Sequence, residues 1–273
     1  MYLGEPRTRP VTVSTLRKMK ASGEKIAMLT AYDASFAAMM ERAGVDVILV
    51  GDSLGMVVQG RDSTVPVTVD DIVYHARLVT RGCRLPLVIA DMPFMSYATV
   101  DSALANAGRL MQEGGAQMIK LEGGQNVVEI VRLLSANGVP VCAHLGLQPQ
   151  SVHKLGGYKV QGRDEATAQR LLDDALVLQE AGADMVLLEC VPAALGAKLT
   201  AELEVPTIGI GAGLGCDGQV LVCYDMLDLT AGMRPKFSKN FMIGQERGVL
   251  GALEAYVRAV REQTFPAAEH SFA

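Results

Sequence analysis

Residues 43–52 read AGVDVILVGD, and the same pattern returns as GGAQMIKLE at 114–122 and AGADMVLLE at 181–189. Each stretch has a glycine, then four to six mostly apolar residues, then an acid. Glycine suits the left-handed position that closes a helix. A short apolar run bounded in this way suits a strand buried on both faces. Helical spacing leads into the first and third stretches, through Phe36, Met39, Met40 and Ala43, and through Ala168, Leu171, Leu172 and Ala175. Beyond the second acid, Val127, Ile130, Val131 and Leu134 share one face of another helix. The repeating unit is a strand followed by a helix.

Carried along the chain, the pattern predicts strands near 25–30, 46–51, 87–90, 116–121, 139–143, 184–188, 206–210 and 219–223. Apolar strands separated by helices imply a parallel sheet covered by helices. Eight of them in 273 residues point to an α/β fold of the (β/α)8 TIM-barrel kind rather than an open doubly wound sheet. No low-complexity linker interrupts the chain, so residues 1–273 read as a single barrel domain. An N-terminal arm and a tail after Phe265 are expected outside the barrel. The connections 52–70 and 145–164 are longer than a βα loop needs. Both leave C-terminal strand ends, where barrel enzymes keep their chemistry, and they read as lids.

Hydrophobic content of 49% and charged content of 20% describe a soluble globular chain. A net charge of -5 leaves no basic footprint for nucleic acid. No apolar run reaches the length of a membrane span, and the first twenty residues lack the apolar core of a secretory signal. The five cysteines form no CxxC, and Cys142 and Cys190 sit in apolar runs. A cytoplasmic location is expected.

Six polar groups stand at the C-terminal ends of the predicted strands: Asp52, Asp91, Lys120, Glu122, His144 and Glu189. Side chains alternate along a strand, so Lys120 and Glu122 share one face, as do Cys142 and His144. With those faces inward, all six converge over the barrel mouth. Each has a plainer reading alone. Asp52 with Ser53 suits a turn or a helix cap. Lys120 and Glu122 suit an ion pair, and His144 a hydrogen-bonded core histidine. Six unrelated caps have no reason to share one face, and that favours a site.

Carboxylates without CxxC or HxxxH suit a hard cation, Mg²⁺ before Zn²⁺. Asp52 and Asp91 are the expected ligands, with Glu122 in or just outside the coordination shell. Such a metal can chelate a 2-oxo acid and stabilise its enolate. Glu189, at the end of a buried strand, is the candidate base, and Lys120 neutralises substrate charge. A rival role for Lys120 is the nucleophile of a Schiff-base aldolase. The glycines 213, 215 and 218 spell a dinucleotide fingerprint, but they follow a late strand with no acid at the required distance, so the match reads as chance. IGIGAG (208–213) suits either a ligand contact or close packing, and Gly156-Gly157 either a hinge or a turn.

The motifs in order resemble those of the ketopantoate hydroxymethyltransferase family. They are TAYD (30–33), VGDSLGMVVQG (50–60), DSTVPVTVDD (62–71), ADMPFMSY (90–97), KLEGG (120–124), HLGLQPQS (144–151), GGYKVQGR (156–163), LECVP (188–192) and IGIGAG (208–213). The match runs from Val11 to the terminal EHSF. The resemblance implies a barrel of the phosphoenolpyruvate/pyruvate-binding type, assembled as a homo-oligomer, a decamer. It implies transfer of a one-carbon unit from 5,10-methylenetetrahydrofolate to 3-methyl-2-oxobutanoate, giving 2-dehydropantoate for pantothenate synthesis. On this likeness Asp52 and Asp91 hold Mg²⁺, with Glu122 beside it. Ser53, Lys120 and His144 contact the substrate together with the two aspartates, and Glu189 accepts the proton.

Overall fold

The computed structural model describes residues 8–230, 232 and 234–273. The first seven residues of the expected arm lie outside these. Eight parallel strands close a barrel in chain order: β1 (Ile26–Thr30), β2 (Val47–Val50), β3 (Leu87–Asp91), β4 (Met118–Glu122), β5 (Val141–Gly146), β6 (Met185–Glu189), β7 (Thr207–Ile210) and β8 (Gly218–Leu221). The barrel expected from the repeating pattern is therefore present, strand for strand. β1 pairs with both β2 and β8, which leaves no open edge.

The glycines close helices as read, and side-chain caps open them. The helix Ala34–Ala43 starts on Asp33, whose carboxylate accepts from the Phe36 amide, and ends on Gly44 at φ 83°. Gly182 closes the approach to β6 at φ 105° in the same way. Thr68 and Asp71 form a reciprocal cap on the helix Val69–Gly82. The strands are buried throughout, apart from the last residues of β5 and β6.

Among the described residues, the segments before β1 and after β8 pack on the barrel rather than lying apart from it. The helix Val13–Ser22 covers the bottom, with Arg17 2.7 Å from Asp184 and Lys20 2.8 Å from Asp217, residues that precede β6 and β8. The helix Gly248–Arg261 seals the β1–β8 seam. Its buried Tyr256 hydroxyl lies 2.9 Å from the Met28 carbonyl and 2.8 Å from the Gln219 carbonyl. Tyr256→Phe removes the donor and leaves buried carbonyls short of a partner. A stability loss of about 1–2 kcal/mol is expected, checked by urea unfolding, with the fold retained.

All five cysteines are free and buried, as the apolar settings of Cys142 and Cys190 suggested for those two. Burial pushes the Cys142 thiol up to about 12 and the Cys216 thiol to about 11, so neither is a ready nucleophile. No helix among the described residues is long and apolar enough to cross a membrane.

Candidate active site

Strand register assembles the polar groups. Asp91 stands beside Lys120 across β3–β4, and Glu122 beside His144 across β4–β5. Because side chains alternate, these residues face the barrel axis, and with Asp52, Ser53 and Glu189 they line a cavity of about 500 Å³. Every one of the seven residues expected at the site is there.

Contacts run through them in a chain. The Lys120 ammonium donates to both Asp91 oxygens at 2.7 Å and stands 3.6 Å from Glu122 Oε1. His144 Nδ1 is 3.2 Å from the same Glu122 oxygen, and Nε2 is 3.3 Å from Glu189 Oε2. Neither imidazole contact has hydrogen-bond alignment, so both nitrogens and Glu122 Oε1 are buried without a bonded partner. The Asp52 amide donates to Asp91 Oδ2 at 3.3 Å. The Ser53 hydroxyl lies 2.9 Å from the Tyr32 hydroxyl.

Four carboxylates thus surround two basic groups in a place water barely reaches. Burial raises the Asp52 carboxyl well above the usual range, and the Asp91 charge adds to it. Burial raises Asp91 as well, against the opposing pull of Lys120. Burial alone would lower Lys120, but Asp91, Glu122 and Asp52 outweigh it and hold the ammonium well above its usual value. A lysine held as a cation by neighbouring carboxylates is a poor Schiff-base nucleophile, which counts against the aldolase reading. Burial and Lys120 both pull His144 down, yet Glu122 and Glu189 on its two nitrogens bring it up to about 9. Glu189 is the least buried of the six charged groups, its side chain 14% exposed.

A divalent cation fits the donor set. Three buried carboxylates, Asp52, Asp91 and Glu122, face one lysine, an excess of negative charge that an oxygen-bound dication relieves. Glu122 Oε1 has no hydrogen-bond partner, and neither does Asp52 Oδ1 among the described residues. Both Asp91 oxygens are engaged by Lys120, so Asp91 enters a metal shell only by sharing an oxygen with it. No group of three His, Cys, Asp or Glu among the described residues forms a ready cage. Mg²⁺ needs only one or two carboxylates, with water and substrate completing its shell.

Several lining residues had no sequence signal strong enough to place them. The connection after β2 starts with a short helix, Leu54–Val57, and the one after β5 with a 3-10 turn, Pro149–Ser151, and the helix Val152–Leu155. The expected lids are therefore partly helical, and Gly156 ends the last of these helices as a turn at φ 67°. The two segments meet at Tyr158 and Met56, whose hydroxyl and sulfur are 3.6 Å apart, and both side chains line the cavity. Gln150 is buried against Asp52, Glu122 and Tyr97.

The tail after Phe265, expected outside the barrel, returns to the mouth. The Ala193 amide donates to the Phe272 carbonyl at 2.9 Å, and the Phe272 ring lines the cavity beside Phe237. The IGIGAG motif resolves here in favour of packing. A Cβ on Gly211 would meet Phe272 at 3.0 Å and Phe237 at 3.1 Å, so the missing side chain lets both rings seat. A Cβ on Gly213 would meet Ala193 at 2.5 Å and one on Gly215 would meet Ala197 at 2.7 Å, closer still, which leaves the apparent dinucleotide fingerprint a packing feature.

Comparisons with known proteins agree in kind. The family model for ketopantoate hydroxymethyltransferase matches residues 10–268. A 3-methyl-2-oxobutanoate hydroxymethyltransferase of Alkalilimnicola ehrlichii is 62% identical, covering 100% of this chain and 99% of its own. That of Nitrosococcus oceani is 60% identical, covering 96% and 99%. Among solved structures, a phosphonopyruvate hydrolase in complex with oxalate and Mg²⁺ superposes with a TM-score of 0.60 at 14% identity, over 78% of this chain and 80% of that one. A 2,3-dimethylmalate lyase, a member of the PEP mutase/isocitrate lyase superfamily, gives 0.56 at 18% identity, over 77% and 80%. These structures share the barrel.

Proposed function

We propose a mechanism from the premise that the chain belongs to the ketopantoate hydroxymethyltransferase family. It transfers a hydroxymethyl group to 3-methyl-2-oxobutanoate, giving 2-dehydropantoate, a step of pantothenate biosynthesis. The one-carbon donor is 5,10-methylenetetrahydrofolate, and the reaction requires Mg²⁺.

The observation that carries this reading is the cluster of three buried carboxylates around Lys120, with Glu189 and His144 beside it. Asp52, Asp91 and Glu122 hold the metal. When bound, Mg²⁺ supplies a Lewis acid for the negative charge that develops on the keto oxygen of the substrate. The substrate C3 carries one proton and two methyl groups, and a Glu189 carboxylate oxygen accepts that proton. His144, a cation between Glu122 and Glu189, keeps the Glu189 carboxylate fixed and turned to the cavity. Lys120 balances the charge of the substrate carboxylate. The Ser53 hydroxyl, oriented by Tyr32, donates to a substrate oxygen. Asp52 and Asp91 also touch the substrate.

Loss of the proton leaves a nucleophilic C3, which attacks the one-carbon unit and becomes a quaternary carbon. Overall both carbon–nitrogen bonds to the folate break, its nitrogens end protonated, and one water is consumed as the source of the new hydroxyl oxygen. Water protonating C3 before that attack would undo the first step. Met56, Tyr158, Phe237 and Phe272 cover the cavity and limit that loss. The resemblance further supports a cytoplasmic homo-oligomer, a decamer, of chains that each form a single barrel domain.

Removal of divalent metal tests the reading. With 3-methyl-2-oxobutanoate and 5,10-methylenetetrahydrofolate supplied, EDTA is expected to abolish product formation, and Mg²⁺ to restore it. Full turnover in EDTA, together with a borohydride-trapped adduct on Lys120, would replace this mechanism with an aldolase one.

A further inference from the structure

Gln150 makes four hydrogen bonds in the site, and none of the roles above uses them. Its carboxamide nitrogen donates to Asp52 Oδ2 and to the Met92 carbonyl, both at 2.9 Å. Its carboxamide oxygen accepts from the Tyr97 hydroxyl at 2.6 Å. Its backbone amide donates to Glu122 Oε2 at 3.1 Å. The side chain is buried, and the carbonyl of Met92 fixes which end of the amide is the donor. One residue therefore occupies one oxygen on each of two carboxylates. The oxygens it leaves, Asp52 Oδ1 and Glu122 Oε1, take no hydrogen bond among the described residues, and Oε1 stands 3.2 Å from His144 Nδ1 and 3.6 Å from the Lys120 ammonium.

We propose that Gln150 is a positioning residue for the metal: it turns Asp52 and Glu122 so that Oδ1 and Oε1 face the cation. Tyr97 supports it by holding the carboxamide oxygen, and its hydroxyl also lies 3.3 Å from the Glu122 amide. The two ligands come from β4 and from the end of β2, and Gln150 from the segment after β5, so part of the metal geometry is set by the covering segment. This rests on the reading of Asp52 and Glu122 as metal-holding groups.

Mn²⁺ binding, measured by calorimetry and by the electron paramagnetic resonance of the free ion, tests the assignment without turnover. The parent, Gln150→Leu and Tyr97→Phe are compared, with thermal unfolding of each metal-free protein. Outer partners of metal sites are typically worth about 10–100-fold in affinity. Gln150→Leu removes the side-chain bond to Asp52 and keeps the backbone bond to Glu122. It is expected to weaken Mn²⁺ at least tenfold in a protein that still folds, with a modestly lower metal-free unfolding temperature, and raising Mn²⁺ is expected to restore turnover. Tyr97→Phe is expected to weaken binding about threefold, and it carries the test if the leucine variant fails to fold. Parental affinity in the folded variants overturns the role of Gln150. Failure of the parent itself to bind Mn²⁺ overturns the metal reading instead.

Discussion

Asp52→Asn is expected to abolish most metal-dependent turnover while leaving the metal-free protein as stable as the parent or more so. Burial and the neighbouring Asp91 and Glu122 charges all disfavour a carboxylate at this position. The amide has the same shape, keeps an acceptor for Gln150 and carries no charge, so it relieves repulsion in the empty site. It also removes the charge of a proposed metal donor. Since outer partners alone are worth about 10–100-fold in metal affinity, losing this donor is expected to cost more than about 100-fold. Lewis-acid stabilisation worth several kcal/mol corresponds to a fall in rate of about 10³-fold or more. Thermal unfolding with and without Mg²⁺ separates the two effects. At a concentration 100 times its dissociation constant, the ion stabilises the parent by about 2.7 kcal/mol. Equal stabilisation of parent and variant would remove Asp52 from the metal site.

Glu189→Gln is expected to lower kcat by about 10²–10⁴-fold, the usual worth of a general base, with little change in the KM for the oxo acid. The geometry supports this split. Glu189 is the least buried of the charged groups and lines the cavity, and its one charged contact among the described residues is with His144 Nε2 at 3.3 Å. It makes no contact with Lys120 or Asp52 in the observed network, so its neutralisation leaves the proposed substrate and metal anchors in place. A large rise in KM with unchanged kcat would make Glu189 a binding residue rather than the base.

The strands were legible because each is an apolar run closed by a chemically distinct residue. Alternation then placed Lys120 and Glu122, and likewise His144, on the inner face. The largest displacement is β5, read at 139–143 and observed at Val141–Gly146. Its pairing continues through Gly146 opposite Glu189, so a glycine that reads locally as a terminator is held in the strand by β6. Gln150 was not legible as a site residue, because its partner Asp52 is 98 positions away and a loop has no period to follow. Its only local sign was its place in HLGLQPQS, where Pro149 opens the turn that carries it. Phe272 was hidden for a similar reason. A phenylalanine one residue from the terminus reads as fraying, and what seats it is the absence of a side chain at Gly211, in another part of the chain. The pairing of both Asp91 oxygens with Lys120 also lay beyond the sequence, since register between neighbouring strands decides it.

Exchange of the C3 proton of 3-methyl-2-oxobutanoate in D₂O, followed by NMR without folate, tests the central claim most directly. It isolates proton removal at this site from one-carbon transfer. The parent is expected to exchange the proton only when Mg²⁺ is present, and Glu189→Gln to exchange it at least 100-fold more slowly at saturating oxo acid. Exchange at the parental rate in Glu189→Gln, or undiminished exchange by the parent in EDTA, would contradict the account.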